Sequence, residues 1–284
     1  MGAAFLITLR EGLEAALIVS ILLAYLKQLG RLELSRDIWW GVGAAILVSM
    51  VAGGIIFGVG AEFEGAAEEI FEGVISLVAA AVLTWMIFWM RNQSTRIKAD
   101  LQGRVESALV GGGLALASLA FVVVVREGIE TALFLFAATQ ATSEGGSGGG
   151  GELIGGLLGL GLAIMLGYLV YQGGVRLNLR LFFRITGAML LVVAAGLVAY
   201  GVHELQEAGL FAVLTAHAYD VKSFLPDDAG IGAILRAIFG YQDAPSVLET
   251  IAWASYLAVA GFLFFRTPKR EPAPQPETAP ADTV

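Results

Sequence analysis

Apolar residues run through the chain in seven long blocks, at about 3–26, 38–60, 70–91, 108–138, 153–173, 184–205 and 247–266. A helix needs roughly 20 apolar residues to cross a bilayer. The pattern therefore predicts an all-α fold, a polytopic membrane bundle of about seven transmembrane helices. The fourth block is longest and predicts a kinked helix or one that leaves the bilayer. The stretch 206–246 mixes apolar residues with Asp220, Lys222, Pro226, Asp227 and Asp228, and predicts a loop with interfacial helices. Ser143–Gly151 is glycine-rich and reads as a flexible loop. The proline-rich stretch 267–284 reads as a disordered cytoplasmic tail. Residues 1–266 thus form one transmembrane domain, with a repeat at about 1–92, a second at about 107–210, and an extra helix at 247–266.

Charge gives the topology. Of the Lys and Arg residues, 13 fall in loops on one side, among them Lys27, Arg91, Arg184 and Lys269. Only Lys222 and Arg236 fall on the other, while Arg10 and Arg126 lie inside spans. Basic loops stay cytoplasmic, so the N-terminus is expected outside and the C-terminus in the cytoplasm of a plasma (inner) membrane protein. The outer loops are acidic, which concentrates cations by electrostatic steering. The N-terminus does not read as a cleaved signal peptide, because its first apolar block carries Arg10, Glu11 and Glu14.

Composition narrows the chemistry. Charged residues make up 15% of the 284, against roughly 25% in soluble domains, and the mean hydropathy is +0.77. With no cysteine and two histidines, any metal site must be built mostly from carboxylates. The net charge of −8 argues against nucleic acid as a partner.

Residues 10–17 read R-E-G-L-E-A-A-L and residues 126–133 read R-E-G-I-E-T-A-L. The copies sit in the first and fourth spans, an odd step apart, so they run in opposite directions, as in an inverted three-helix repeat. A helix turns about 100° per residue, which puts Glu11 and Glu14 on one face and stacks Arg10 one turn from Glu14. Gly12 with Ala16, and Gly128 with Ala132, form small-residue patches that let helices approach closely. Facing each other, the motifs would gather Glu11, Glu14, Glu127 and Glu130 with Arg10 and Arg126, a net charge of about −2 that suits a cation. Each such charge costs roughly 2.5–3.5 kcal/mol at a helix centre, an expense that points to function.

Further acids lie toward the outer ends. The third span opens E-E-I-F-E-G, with Glu68, Glu69 and Glu72, and the sixth closes H-E-L-Q-E, with His203, Glu204 and Glu207. Glu72, His203 and Glu204 sit deepest and are candidate ligands. Glu68, Glu69 and Glu207 are candidates for an outer access site. Oxygen ligands with one imidazole suit iron or manganese. An intramembrane zinc protease would need H-E-x-x-H, but position 207 is Glu and His217 lies ten residues beyond it.

The twin R-E-G-x-E strings resemble those of the iron/lead transporter family, which includes the fungal high-affinity and the bacterial iron permeases. The likeness covers nearly the whole chain and extends to F-E-G in the third span and H-E-L-Q-E in the sixth. It implies an iron permease and no enzyme, with Glu11, Glu14, Glu127 and Glu130 as iron ligands and Arg10 and Arg126 as their partners. Ile129 stands where leucine is more usual. Iron would be the transported substrate, with no tightly bound cofactor and the lipid bilayer as surroundings. The family's partners, a ferroxidase in fungi and extracytoplasmic lipoproteins and peroxidases in bacteria, would be separate chains here. A permease for lead or manganese, and a non-transporting membrane scaffold, are the other readings.

Overall fold

A computed structural model describes residues 1–60, 62–93, 103, 105, 107–143, 150–172, 178–211, 213–227 and 229–266. The tail expected from 267, and most of the glycine-rich loop expected after Ser143, lie outside the described residues. Eight α-helices are described: α1 (Gly2–Gln28), α2 (Ser35–Gly60), α3 (Ala66–Gln93), α4 (Gly113–Ser143), α5 (Gly150–Tyr171), α6 (Leu179–Glu207), α7 (Gly230–Phe239) and α8 (Val247–Phe265). No strand occurs among the described residues, so the chain is an all-helical bundle.

Five helices, α2, α3, α5, α6 and α8, are long and apolar enough to cross a membrane. The other two long helices, α1 with 27 residues and α4 with 31, are the ones whose apolar run is interrupted by the charged motifs. The fourth block begins later than its hydropathy suggested. Residues 107–110 are helical, but Gly112 has φ +76°, a left-handed conformation that ends the segment and lets α4 start afresh. Capping fixes other boundaries. The Asn178 side chain accepts from the Leu181 N–H at 3.1 Å to start α6. Ser246 and Glu249 form a capping box at the start of α8. Within 206–246 a single short helix, α7, is described, and it ends at Gly240, φ +64°.

Small residues set the packing. Buried Gly155, Gly159, Ala163 and Gly167 recur every fourth residue of α5, a stripe that lets another backbone approach closely. That backbone is α1. Gly155 lies against Met1, Gly159 against Thr8 and Gly167 against Ala16, so the two helices run parallel. The pair α2 and α4 is built the same way, with Gly41 against Ala117, Gly53 against Ala132 and Gly60 against Phe136. The helices α3 and α6 cross antiparallel, Gly73 meeting Gly201 and Ile87 meeting Gly187.

Two apolar clusters join α1 to α4. One gathers Val19, Leu22 and Leu26 with Leu116, Ala120 and Val124. The other gathers Ala3, Leu6 and Ile7 with Phe134, Ala137 and Ala138. The start of α1 therefore lies beside the end of α4, and the motif helices are antiparallel. Exchanging α1–α3 for α4–α6 carries the α1–α5 pair onto the α4–α2 pair. Ala16 and Ala132, which hold the same place in the two octets, each meet a glycine of the partner helix. The outward faces are apolar: Trp40, Leu47 and Met50 of α2 and Leu157 of α5 are exposed, as a lipid-facing surface requires.

The α2–α4 contact yields a prediction. A side-chain carbon at Gly41 would lie 2.1 Å from the Ala117 carbonyl oxygen, whereas one at Gly43 would meet nothing within 4 Å. Gly41→Ala is expected to push two backbones apart and cost about 1–3 kcal/mol, read as a lowered melting temperature in detergent. Gly43→Ala is expected to melt like the parent chain.

Candidate metal centre

The two motifs meet at the antiparallel crossing of α1 and α4. Each arginine folds back on its own helix. The Arg10 Nη1 donates to Glu11 Oε1 at 2.8 Å, and Nη2 stands 3.2 Å from Glu14 Oε1, one turn on. In the second copy Arg126 Nη2 donates to Glu127 Oε1 at 2.8 Å, and Nε stands 3.4 Å from Glu130 Oε1. The guanidinium thus spans both carboxylates of its motif: the one four positions ahead lies a turn along the same face, and the long arginine side chain also reaches the adjacent one.

This leaves oxygens over. Glu11, Glu14 and Glu127 are buried, and each offers a carboxylate oxygen within 4.8 Å of the others. Among the described residues this is the one group of three or more acidic or imidazole side chains so arranged. Glu11 Oε2, Glu127 Oε2 and Glu130 Oε2 are buried with no hydrogen-bond partner. Unpartnered buried carboxylate oxygens are costly. Three of them around one crossing define a pocket of negative potential that a cation would fill. The donor set is oxygen alone, which suits hard and borderline cations.

The two copies are not equivalent. The Arg10 side chain is 1% exposed, and its Nη1 also reaches Met86 Sδ at 3.4 Å. The Arg126 side chain is 46% exposed and lies over the Trp89 ring, 5.4 Å from its centroid, a cation–π contact. The first motif is sealed and the second is open on one side.

The remaining candidates divide. Glu72 is buried outside this group and already engaged. It accepts from Gln140 Nε2 of α4, and from the Tyr200 hydroxyl of α6 at 2.5 Å. Glu68 is exposed and Glu69 half-buried in the first turn of α3, where acids complement the helix dipole. His203, Glu204 and Glu207 stay together at the end of α6, with Glu204 buried. His217 is exposed and faces the Ala244 carbonyl. Sequence reasoning missed Gln140, Tyr200 and Glu249. The last has a local signal, the Ser-x-x-Glu of a capping box, but that signal does not reveal that Glu249 Oε1 lies 3.2 Å from His203 Nδ1.

Buried carboxylates inside a membrane bundle mark ion or proton pathways, and oppositely directed repeat helices are a build of transporters. Residues 1–268 match the iron permease FTR1 family, and the chain belongs to it. It is 42% identical over 272 residues to the ferrous iron permease EfeU of Escherichia coli O6:K15:H31 (strain 536 / UPEC), covering 95% of this chain and 97% of the relative. The ferrous iron permease EfeU of Yersinia pestis is 41% identical over 272 residues, covering 95% of each. No solved structure matches. Family membership and the five apolar helices make the chain a multi-pass membrane protein.

Because Arg10 is sealed between two carboxylates, Arg10→Met leaves both as uncompensated buried charges. This is expected to cost about 3–5 kcal/mol and to deplete folded protein in the membrane. Arg126→Met, at a half-exposed site, is expected to spare the fold. Comparing the yields of monodisperse protein in detergent tests the asymmetry.

Proposed function

We propose that this chain is an iron permease that carries ferrous ion into the cytoplasm through the carboxylate crossing of α1 and α4. The observation that carries this reading is the group Glu11, Glu14 and Glu127, drawn from two helices with ligand oxygens within 4.8 Å. Glu130, paired with Arg126 at 3.4 Å, would complete the set as the ion moves. The arginines act as resident counter-ions. They offset two of the four negative charges, so a divalent cation brings the crossing to neutrality. A trivalent ion would leave an excess positive charge in a low-dielectric setting, where residual charge is costly. The ferrous form is further supported by the relatives, which are named ferrous iron permeases.

The exchange that relates α1–α3 to α4–α6 supports an inverted repeat. In transporters of that build, rocking of one half against the other opens a midplane site to each side in turn. We place the N-terminus outside and the C-terminus in the cytoplasm, on the bias of basic loops. Of the separate extracytoplasmic partners, an iron-binding protein fits delivery of ferrous ion to the acidic outer face, whereas an oxidase or peroxidase would hand over ferric ion. Carboxylates alone do not select iron from manganese or lead, so transport of another divalent metal is the second reading.

Proteoliposomes test both. Ferrous ion held reduced by ascorbate is expected to accumulate, and chelated ferric ion is not. Glu14→Gln and Glu127→Gln are each expected to abolish uptake, with protein still in the membrane. Normal iron uptake by both variants would sink the proposal. Manganese or lead that enters as fast as iron would favour the second reading.

A further inference from the structure

Four residues before the C-terminal end of α6, an imidazole stands between two carboxylates from different helices. His203 Nδ1 lies 3.2 Å from Glu249 Oε1 of α8, and Nε2 lies 3.6 Å from Glu207 Oε1 one turn further along α6. Glu249 is 2% exposed. Its Oε1 also accepts from the Ser246 N–H at 3.3 Å, and its Oε2 is buried with no hydrogen-bond partner. Glu207 is the open member, its side chain 55% exposed.

With a carboxylate facing each nitrogen, the ring can carry a proton on both, Nδ1–H on Glu249 and Nε2–H toward Glu207. Metal binding needs the neutral imidazole, and a divalent cation that takes the place of the Nε2 proton would find a nitrogen and a carboxylate oxygen 3.6 Å apart at the solvent edge. A buried carboxylate on the far nitrogen is how metal-binding imidazoles are commonly oriented.

We infer that His203 Nε2 and the Glu207 carboxylate form a second, weaker site for a divalent transition-metal cation at the mouth of the bundle, with Glu249 as the residue that positions the imidazole. This rests on the permease reading above and deepens it. Two protein ligands, with water completing the shell, give a site that captures and releases readily. Its nitrogen ligand also supplies something the motif crossing lacks. An all-oxygen site is open to calcium and magnesium, whereas imidazole favours iron and manganese over both. The mouth therefore does the selecting, and the crossing does the carrying.

Manganese(II) is the probe. Its binding is read by electron paramagnetic resonance on purified full-length chain carrying Glu14→Gln, which weakens the crossing. The expected result is a bound manganese that ferrous ion displaces and excess calcium does not. His203→Gln, which keeps an N–H donor toward Glu249, and Glu207→Gln, at an exposed position, should each remove one bound ion. Glu249→Gln should weaken binding roughly 10- to 100-fold. On an otherwise native chain in proteoliposomes, His203→Gln and Glu207→Gln should raise the KM for ferrous uptake about tenfold, with the maximal rate unchanged. Manganese binding that neither variant alters, or displacement of manganese by calcium, overturns the inference. So does a fall in maximal rate at constant KM, which would mark a structural role. Failure of the permease reading shows separately, as normal iron uptake by the Glu14→Gln chain whatever its manganese signal.

Discussion

The ion pairing of Arg10 with Glu11 and Glu14 is the constraint around which the rest of the bundle is arranged. A guanidinium that is 1% exposed cannot sit in an apolar helix unless counter-charge is supplied at once. Its own helix supplies two carboxylates, at 2.8 and 3.2 Å. They neutralise it and overshoot by one charge. The second motif overshoots by one as well, and the crossing of α1 and α4 puts the two excesses in one place. Under the proposed function, that shared excess is what draws a cation to the crossing, in a medium where uncompensated charge is costly. The crossing that concentrates it is itself packed by residues with no charge at all, the apolar clusters that join α1 to α4 on either side of the motifs.

Much of this was legible in the chain, for identifiable reasons. Charges inside long apolar runs stand out because they are expensive, so Arg10, Glu11, Glu14, Arg126, Glu127 and Glu130 could be picked out and placed on helix faces by spacing alone. Helix ends were less legible. The start of α4 depends on a left-handed Gly112, and hydropathy carries no backbone angle. The α5 stripe of Gly155, Gly159, Ala163 and Gly167 announces a close contact but not the partner, since small residues fit any smooth helix.

The candidate site was legible in membership and not in its asymmetry. Arg10 and Arg126 occupy identical positions in nearly identical octets, yet one is sealed against Met86 and the other half-exposed over Trp89. That difference belongs to α3, which both arginines touch and whose sequence does not repeat around Met86 and Trp89. Glu249 escaped for a related reason. It lies 46 residues from His203, and only the return of the chain through 208–246 brings it back.

The pairing of helices across the two halves bears on how the chain is made. The partner of α1 is α5, which begins at Gly150, so synthesis at roughly 5–20 residues per second delays that contact by roughly 6–24 seconds after α1 is complete. Through that interval α1 must hold three charged side chains in or beside the bilayer without its partner. The contacts of Arg10 with Glu11 and Glu14 are one and four positions away, so they form as soon as the helix does. Local pairing makes a nascent segment that would otherwise be too polar fit to wait for its partner in the membrane.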